Sequence, residues 1–189
     1  INLEIGGFNK ITVNKYDALL NSNSELPDQQ RLEKMVSGRY IGELFSYCLQ
    51  DIFSLNSLPE FTSIDLSYIL NDSEAGLPNV QKLINERIHV KLTEQDAKAV
   101  QDLAAAIVSR SAQIVAATYC GVLWHIFPNN VPAHNIVIDG SLFEKMPTVT
   151  DNMHQSLQKV LGDGAENIKL VLENGGSVLG AALAAAMSK

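Results

Sequence analysis

Apolar residues alternate with other residues at the start of the chain, on both sides of a glycine pair. The alternating positions are Ile1, Leu3, Ile5, Ile11 and Val13, and Gly6-Gly7 interrupts them. A period of two predicts two short strands joined by a turn. Residues 15–28 are mostly polar and predict a loop, which ends at Asp28 as a helix N-cap.

Helical spacing of apolar residues follows Asp28 and predicts one helix to about Phe53. The spaced positions are Leu32, Met35, Val36, Tyr40, Leu44 and Cys48. Gly38 and Gly42 lie inside this helix, although each glycine weakens a helix by about 1 kcal/mol relative to alanine. We therefore expect that the fold needs bare backbone near Gly38.

The middle of the chain predicts a loop-rich stretch over residues 54–78, a short helix over 79–87 and then a long helix. Thr93 with Asp96 forms a capping signature for the long helix, which extends to about His125 with an apolar stripe and many alanines. Its most apolar part, residues 112–127, is shorter than the roughly 20 residues of a membrane span. We therefore predict a buried helix and no membrane partner.

The last third of the chain alternates short apolar strands with helices. Residues 135–141 and 168–172 predict buried strands, residues 151–161 a helix, and Gly175-Gly176-Ser177 opens a final helix to Met187. We expect an α/β fold that is rich in helix, has few short strands and forms a single domain over residues 1–189.

Charge and cysteine content exclude several functions. The chain of 189 residues has 14 Lys+Arg and 21 Asp+Glu, a net charge of −7, which argues against nucleic acid as a partner. Cys48 and Cys120 fit neither a disulfide framework nor a zinc motif, so we expect reduced core thiols and a cytoplasmic location. The histidines lack the spacing of metal ligands, and we predict no metal site.

Each predicted strand of the last third ends in a turn of small residues. The turns are Asp139-Gly140-Ser141 and Glu173-Asn174-Gly175-Gly176-Ser177. Glycines at a strand end let a phosphate approach the backbone, and free N–H groups at a helix start favour an anion. Ordinary strand-to-helix turns have the same composition, so both interpretations stay open.

Glu4 and Glu33 are the candidate functional carboxylates. Glu4 lies among alternating apolar residues, and Glu33 lies in the first turns of the predicted helix. An acid at the start of a helix is favoured by the helix dipole, so a purely structural role for Glu33 also stays open.

Five segments in order resemble motifs of the hexokinase family. Residues 32–44, LEKMVSGRYIGEL, are similar to the glucose-contacting signature F-E-K-M-x-S-G-x-Y-L-G-E. The opening NLEIGGF resembles N-T-E-W-G-A-F, and residues 108–117 resemble the family's V-S-x-R-S-A helix. Residues 138–143 resemble V-D-G-S-L-Y, and residues 173–182 resemble the last nucleotide loop, E-x-G-S-G-x-G-A-A.

This resemblance implies an actin-like ATPase (ribonuclease-H-like) fold and the C-terminal part of the large hexokinase subdomain. The function it implies is transfer of a phosphoryl group from ATP, with Mg²⁺, to the C6 hydroxyl of glucose or a related hexose. It also assigns sugar contacts to Glu4 and Glu33. The implied nucleotide contacts are Gly38, Arg39, Thr62, Gly140, Ser141, Gly176 and Ser177.

Departures from the family pattern concern both predicted sites. Leu3 and Ile5 replace Thr and Trp around Glu4, and Val178-Leu179 replaces a glycine and a cation in the last loop. The family's first phosphate loop, its small subdomain and its catalytic aspartate precede the matched segments. We therefore assign no catalytic residue and no metal ligand to this chain, and expect it to be inactive without the N-terminal half of the enzyme.

Two other functions stay open beside the hexose kinase, and the isolated chain is expected to self-associate. The chain could be a non-catalytic sugar- or nucleotide-binding module that descends from a hexokinase. A relative such as an acetate kinase, acting on a non-sugar acceptor, is disfavoured by Glu4 and Glu33. The chain opens at Ile1 without a leader segment, so we interpret it as part of a longer protein whose isolated form would expose strand edges and self-associate.

Overall fold

The computed structural model describes residues 3–173 and 175–187, which divide into two compact units. The first unit comprises residues 1–114 and the second residues 115–189. The elements are α1 (Lys15–Asn23), α2 (Arg31–Val36), α3 (Gly38–Ile52), α4 (Ser63–Leu70), α5 (Pro78–Ile88), α6 (Glu94–Ile126), β1 (His134–Ile138), α7 (Ser141–Lys145), α8 (Val149–Leu161), β2 (Ile168–Leu172) and α9 (Gly176–Met187). That the whole chain is a single domain stays a prediction.

The core of the first unit is built around α3, which carries a strongly apolar face. Ile41, Phe45 and Leu49 are fully buried along it. Phe45 meets Phe61 edge to face, with ring centroids 5.3 Å apart. Helix α3 is therefore the packing centre against which α1, α2 and α4 are placed.

Two helices of the first unit lie where the sequence predicted loops. Asn14 caps α1, and Asp17 returns the contact by accepting from the Asn14 backbone N–H. Thr62 and Asp65 form the same reciprocal box at α4. Each box satisfies backbone N–H groups that a helix start otherwise leaves unpaired. The predicted loops over residues 15–28 and 54–78 are wrong over these helices.

The predicted helix from Asp28 to Phe53 is interrupted. Helix α2 ends at Ser37, whose backbone is extended with ψ 150°, and α3 begins at Gly38. Asp28 is not the N-cap, because Gln30 holds that position and Asp28 instead accepts a hydrogen bond from Asn21. The break leaves a helix of 6 residues, α2, and a helix of 15 residues, α3.

The two predicted strands at the start of the chain are not observed over residues 3–13. A 3₁₀ turn occupies Ile5–Gly7, and Leu3, Ile5 and Val13 are exposed. An isolated two-stranded hairpin is only marginally stable without a sheet to join, which accounts for the difference. The predicted position of Ile1 in the first strand lies outside the described residues.

The second unit contains a parallel pair of strands packed on helices. His134–Ile138 pairs with Ile168–Leu172 in register, so that Ile138 lies beside Leu172. Its core cluster comprises Ala116, Cys120, Leu123, Val131, Leu157 and Ile168. The predicted strands and the final helix are confirmed, although the first strand ends at Ile138 and not at residue 141. Their predicted burial is wrong for β1, in which no residue is buried and Val137 is 61% exposed, and in β2 it holds only for Ile168.

Helix α6 contributes residues 94–114 to the first unit and 115–126 to the second. Its predicted start is confirmed, because Thr93 and Asp96 exchange capping hydrogen bonds. It is the one described helix with the length and apolar composition of a membrane span, a test that core helices also pass. One face of it is fully buried at Ala97, Ala104, Val108 and Ala116, so the prediction of a buried helix holds for this face, whereas Trp124 and Ile126 near its C-terminal end are exposed.

Candidate functional site

The two candidate sugar carboxylates are borne by neighbouring elements of the first unit. Glu4 precedes the 3₁₀ turn Ile5–Gly7, and this turn packs against α2, which carries Glu33. A Cβ at Gly6 would lie 3.4 Å from the Glu33 Cβ and 2.8 Å from Gln30 Oε1. The turn therefore approaches α2 to contact distance at Gly6, where the Gln30 side chain would have to rotate away from an added Cβ.

Glu4 and Glu33 are both exposed, and their local backbones differ. Glu4 has a left-handed conformation, with φ 45° and ψ 44°, which costs a non-glycine residue free energy. Glu33 lies in the first turn of α2, where the helix dipole favours its charge. Carboxylates in this setting can accept hydrogen bonds from hydroxyl groups. Gln30, which the sequence reasoning missed, adds an amide to the same corner.

Helix α2 is anchored from two sides, which fixes the direction of Glu33. The buried Lys34 ammonium donates to Asn21 Oδ1 at 2.9 Å and to the Leu26 carbonyl at 2.6 Å. Its burial lowers the pKa of Lys34. Ser111 of α6 donates to the Val36 carbonyl at 2.8 Å, at the C-terminal end of α2.

Gly38 and Arg39 form the first turn of α3. The Arg39 guanidinium donates to Glu25 at 2.8 Å and lies 5.2 Å from the Tyr40 ring centroid. The hydrogen bond with Glu25 raises the pKa of Arg39. Because both groups are exposed, this ion pair is weak and leaves Arg39 able to exchange Glu25 for a phosphate. Nucleotide binding by Gly38 and Arg39 stays a prediction.

Thr62 has an identified structural role. Its hydroxyl donates to Asp65 Oδ2 at 2.8 Å, and the same hydroxyl accepts from the Asp65 backbone N–H. Its backbone also lies against Gly42, where a Cβ would be 2.5 Å from the Thr62 Cα. The bare backbone expected near Gly38 is therefore required at Gly42, and the nucleotide role of Thr62 stays a prediction.

The second unit brings the two small-residue turns to one edge of its strand pair. Because β1 and β2 are parallel and in register, the residues after Ile138 and Leu172 emerge side by side. The Glu173 N–H donates to the Ile138 carbonyl at 3.0 Å. The Ser177 N–H donates to Asp139 Oδ2 at 2.9 Å, which joins the turn 139–141 to the start of α9.

Open backbone is present at Gly140 but not at Gly176. Among the described residues other than its two chain neighbours, none has an atom within 4 Å of a Cβ built on Gly140, whose φ of 171° is ordinary extended backbone. At Gly176 a Cβ would lie 3.1 Å from the Glu173 side chain. Ser141 is exposed at the start of α7. Gly140 and Ser141 thus present the more accessible of the two turns to a ligand.

The expectation of free N–H groups at the start of α9 is wrong for Ser177. The Asp139 carboxylate already accepts from it, and hydrogen bonds from the Ser177 backbone and side chain, with a further one from Gly175, lower the pKa of Asp139. An anion of the chain itself therefore occupies the favourable end of this helix. Asn174, part of the predicted turn, lies outside the described residues.

The cysteines and the possible metal ligands give no sign of a reactive or metal-binding site in the described part of the chain. Cys48 and Cys120 are buried free thiols, and burial raises the pKa of Cys48 to about 11 and also raises that of Cys120. A thiol with a raised pKa is a poor nucleophile at neutral pH. Over residues 3–173 and 175–187, no cluster of three His, Cys, Asp or Glu side chains could hold a metal ion.

Comparison with known proteins identifies the family. The hexokinase family model matches residues 1–187. The hexokinase of Kluyveromyces lactis is 28% identical over 210 residues, an alignment that covers 100% of this chain and 43% of that protein. Hexokinase-1 of Mus musculus is 30% identical over 189 residues, which cover 92% of this chain and 19% of that protein. The chain belongs to the hexokinase family.

Solved structures agree with this assignment. A hexokinase crystal structure matches 93% of this chain and 41% of its own, with a TM-score of 0.78 and 22% identity. A hexokinase from Schistosoma mansoni complexed with glucose matches 93% of this chain and 42% of its own, with a TM-score of 0.72 and 25% identity. The actin-like ATPase fold that the motifs implied is confirmed.

Proposed function

We propose that this chain is part of an ATP-dependent hexose kinase that phosphorylates the C6 hydroxyl of glucose or a related hexose. The observation that carries the proposal is the family match over residues 1–187, which includes both candidate sugar carboxylates and both small-residue turns. The chain spans 43% of the Kluyveromyces lactis hexokinase. We further propose that the proton-accepting aspartate lies in another part of the full-length protein.

Sugar binding is supported by the corner formed by the turn at Ile5–Gly7 and α2. Glu4 and Glu33 are exposed acceptors on packed elements, which approach each other at Gly6. Hydrogen bonds to a charged acceptor are stronger than neutral ones, and a rigid helix keeps the acceptor in place. The related Schistosoma mansoni structure is complexed with glucose.

Nucleotide binding is supported by the turn that follows β1. The open space around Gly140 fits the close approach of a phosphate group to the backbone, with Ser141 as a neighbouring hydroxyl donor. ATP would supply the transferred phosphoryl group, and Mg²⁺ would enter with the phosphates, since this ion is commonly held by them. The residues of this chain would position the triphosphate.

Replacement of Glu33 by alanine in the full-length protein tests the sugar site. Loss of a charged acceptor for hydroxyl groups costs about 1.5–3 kcal/mol. We therefore expect kcat/KM for glucose to fall by about ten- to a hundredfold. Steady-state kinetics with saturating ATP measures this loss, and thermal unfolding measures any change in stability.

Glu94→Ala is the matched control, because Glu94 is also an exposed acid in the first turn of a helix. We expect both variants to change stability by less than about 0.5 kcal/mol, as is usual for surface positions. If kcat/KM for glucose were the same in the two variants, Glu33 would have no role in sugar binding and would only complement the helix dipole.

Replacement of Gly140 by valine tests the nucleotide site. An added side chain would occupy the open space at the turn and hold the phosphates away, so we expect the KM for ATP to rise by about tenfold and kcat to fall. Glucose affinity measured without nucleotide should not change. Because φ at Gly140 is extended and the space is empty, the melting temperature should also stay within about 2 °C of the wild type. An unchanged KM for ATP would exclude Gly140 from the nucleotide site.

A further inference from the structure

Asp139 is the residue through which the two turns of the second unit contact each other. It follows β1 directly, and its Oδ2 accepts the Ser177 N–H at 2.9 Å across 38 sequence positions. The parallel register places Ile138 beside Leu172, so the residues that follow the two strands lie close together. The Glu173 N–H adds one more hydrogen bond between the strand ends by donating to the Ile138 carbonyl. The strands and the carboxylate thus fix the relative position of both turns.

Helix α9 contacts Asp139 at its N-terminal end, and its described side chains are not buried within this chain. Over Gly176–Met187, none of the side chains that the structure describes is buried, and Val178 and Met187 are 76% and 84% exposed. Hydrogen bonds from Gly175 and Ser177 converge on Asp139, which remains an anion at the positive end of the helix.

We propose that Asp139 is a positioning residue for the nucleotide, which holds the start of α9 against the turn at Gly140 and Ser141 and so keeps this turn in its binding shape. The inference rests on the proposed nucleotide function. Asp139 itself would not receive the phosphates, because its charge repels them. The phosphates would instead meet the open backbone at Gly140, beside a helix end that Asp139 has already neutralised.

Three variants of the full-length protein test this role: Asp139→Ala, Asp139→Asn and, as a control, Asp163→Ala. Asp163 is an exposed acid of the same unit, in the 3₁₀ segment Gly162–Asn167. Calorimetric titration with ADP, and separately with glucose, gives the two dissociation constants. Thermal unfolding of each variant reports whether it is folded.

We expect Asp139→Ala to raise the Kd for ADP by about tenfold or more, since small displacements of a positioning group have effects of this size. Asp139→Asn retains an acceptor oxygen for the Ser177 N–H and should recover most of the affinity. The Kd for glucose should be unchanged in all variants, and Asp163→Ala should match the wild type throughout. If Asp139 contributed only to stability, its replacement would lower the melting temperature, and the Kd for ADP would not differ between Asp139→Ala and Asp139→Asn.

Two results would overturn the inference, and they are distinguishable. Equal ADP affinity in Asp139→Ala and Asp163→Ala overturns the positioning role and leaves the nucleotide function intact. If the wild-type protein binds glucose but no ADP, the proposed nucleotide function fails and the positioning role fails with it. If Asp139→Ala does not fold, Asp139→Asn alone tests the role. A Kd for ADP close to the wild-type value, together with a Ser177 amide that stays protected from hydrogen exchange, supports the role. Loss of this protection without loss of ADP affinity contradicts it.

Discussion

Replacement of Gly42 by alanine is expected to destabilise the protein by about 2 kcal/mol, although alanine favours helices. A Cβ at Gly42 would lie 2.5 Å from the Thr62 Cα and 2.6 Å from the Phe61 carbonyl oxygen. Both contacts are with backbone atoms, so rotation of a side chain cannot relieve them. Overpacking costs about 1–3 kcal/mol, and at a backbone contact we expect the upper value. The better helix propensity offsets about 1 kcal/mol of it.

The contact at Gly42 also organises the segment that precedes α4. Ser46, one turn further along α3, donates its hydroxyl to the Gly42 carbonyl and accepts the Phe61 N–H at 3.1 Å. A displaced Phe61 would therefore lose a buried hydrogen bond as well as its ring contact with Phe45. These linked losses make repacking around the new methyl group unfavourable.

Gly121→Ala is the matched control, because Gly121 also lies inside a helix and, apart from the backbone of that helix and the two chain neighbours, no described atom is within 4 Å of a built Cβ. Here the substitution should stabilise the protein by up to about 1 kcal/mol. Thermal unfolding followed by circular dichroism should therefore give shifts of opposite sign for the two variants. A shift of the same sign would show that the chain accommodates a side chain at Gly42 and that the glycine serves another purpose.

Local signals account for the elements that the sequence predicted well. The long helix α6, both strands and α9 have sustained periodicity or a compact apolar run with clear boundaries, and their limits moved by few residues. Helices α1 and α4 carry the same Asn/Thr-x-x-Asp box that marked α6. The polar residues of 15–28 and the prolines, glycine and Asn71-Asp72 of 54–78 favour loops, and this composition outweighs the two boxes when the sequence alone is considered.

Other features depend on contacts between distant parts of the chain. The C-terminal end of α2 is stabilised by Ser111, which donates to the Val36 carbonyl across 75 sequence positions. Asp139 and Ser177 meet across 38 positions. Helix propensity and spacing describe only neighbours in sequence, so they cannot report such contacts. The same limit explains why free N–H groups were expected at α9.

The candidate site also combines residues with a local sequence signal and residues that depend on contacts between distant parts of the chain. Glu4, Glu33 and the turn at Gly140 could be named from motifs, and the structure gives each an exposed position on a fixed element. What the motifs could not provide is the scaffold: Lys34 buried under the loop before α2, Gly42 against Thr62, and Asp139 at α9. These residues act on the site through their packing and hydrogen bonds.

Replacement of Asp17 by alanine is expected to destabilise the protein by about 3 kcal/mol. Asp17 accepts two hydrogen bonds from Arg110, at 2.7 and 2.9 Å, and the two side chains are 5% and 28% exposed. Removal of the carboxylate leaves a largely buried guanidinium without its charged partner, which typically costs about 3–5 kcal/mol. Partial access of Arg110 to water favours the lower value, while loss of the capping box at α1 adds to the cost.

Asp102→Ala provides the comparison, since Asp102 also accepts from a cation at 2.8 Å but both partners are about 60% exposed. An exposed helical pair of this kind contributes about 0.3–0.5 kcal/mol. For a chain of this length, a loss of 3 kcal/mol corresponds to a decrease in melting temperature of about 6–12 °C. Asp17→Ala should show this decrease, whereas Asp102→Ala should change the melting temperature by about 2 °C or less.

A second substitution separates the cost of an unpaired charge from the loss of contacts. If the buried guanidinium is the source of the instability, Arg110→Met in the Asp17→Ala background should recover part of the lost stability, because it removes the unpaired charge and keeps much of the side-chain volume. Ser111 lies next to Arg110 and anchors the end of α2, so the Asp17–Arg110 pair also helps to hold the helix that carries Glu33. Asp17→Ala should therefore raise the glucose KM of the full-length protein, and Arg110→Met in that background should leave the KM raised, because the double variant also lacks the pair. A double variant less stable than Asp17→Ala would show that Arg110 stabilises the first unit independently of Asp17.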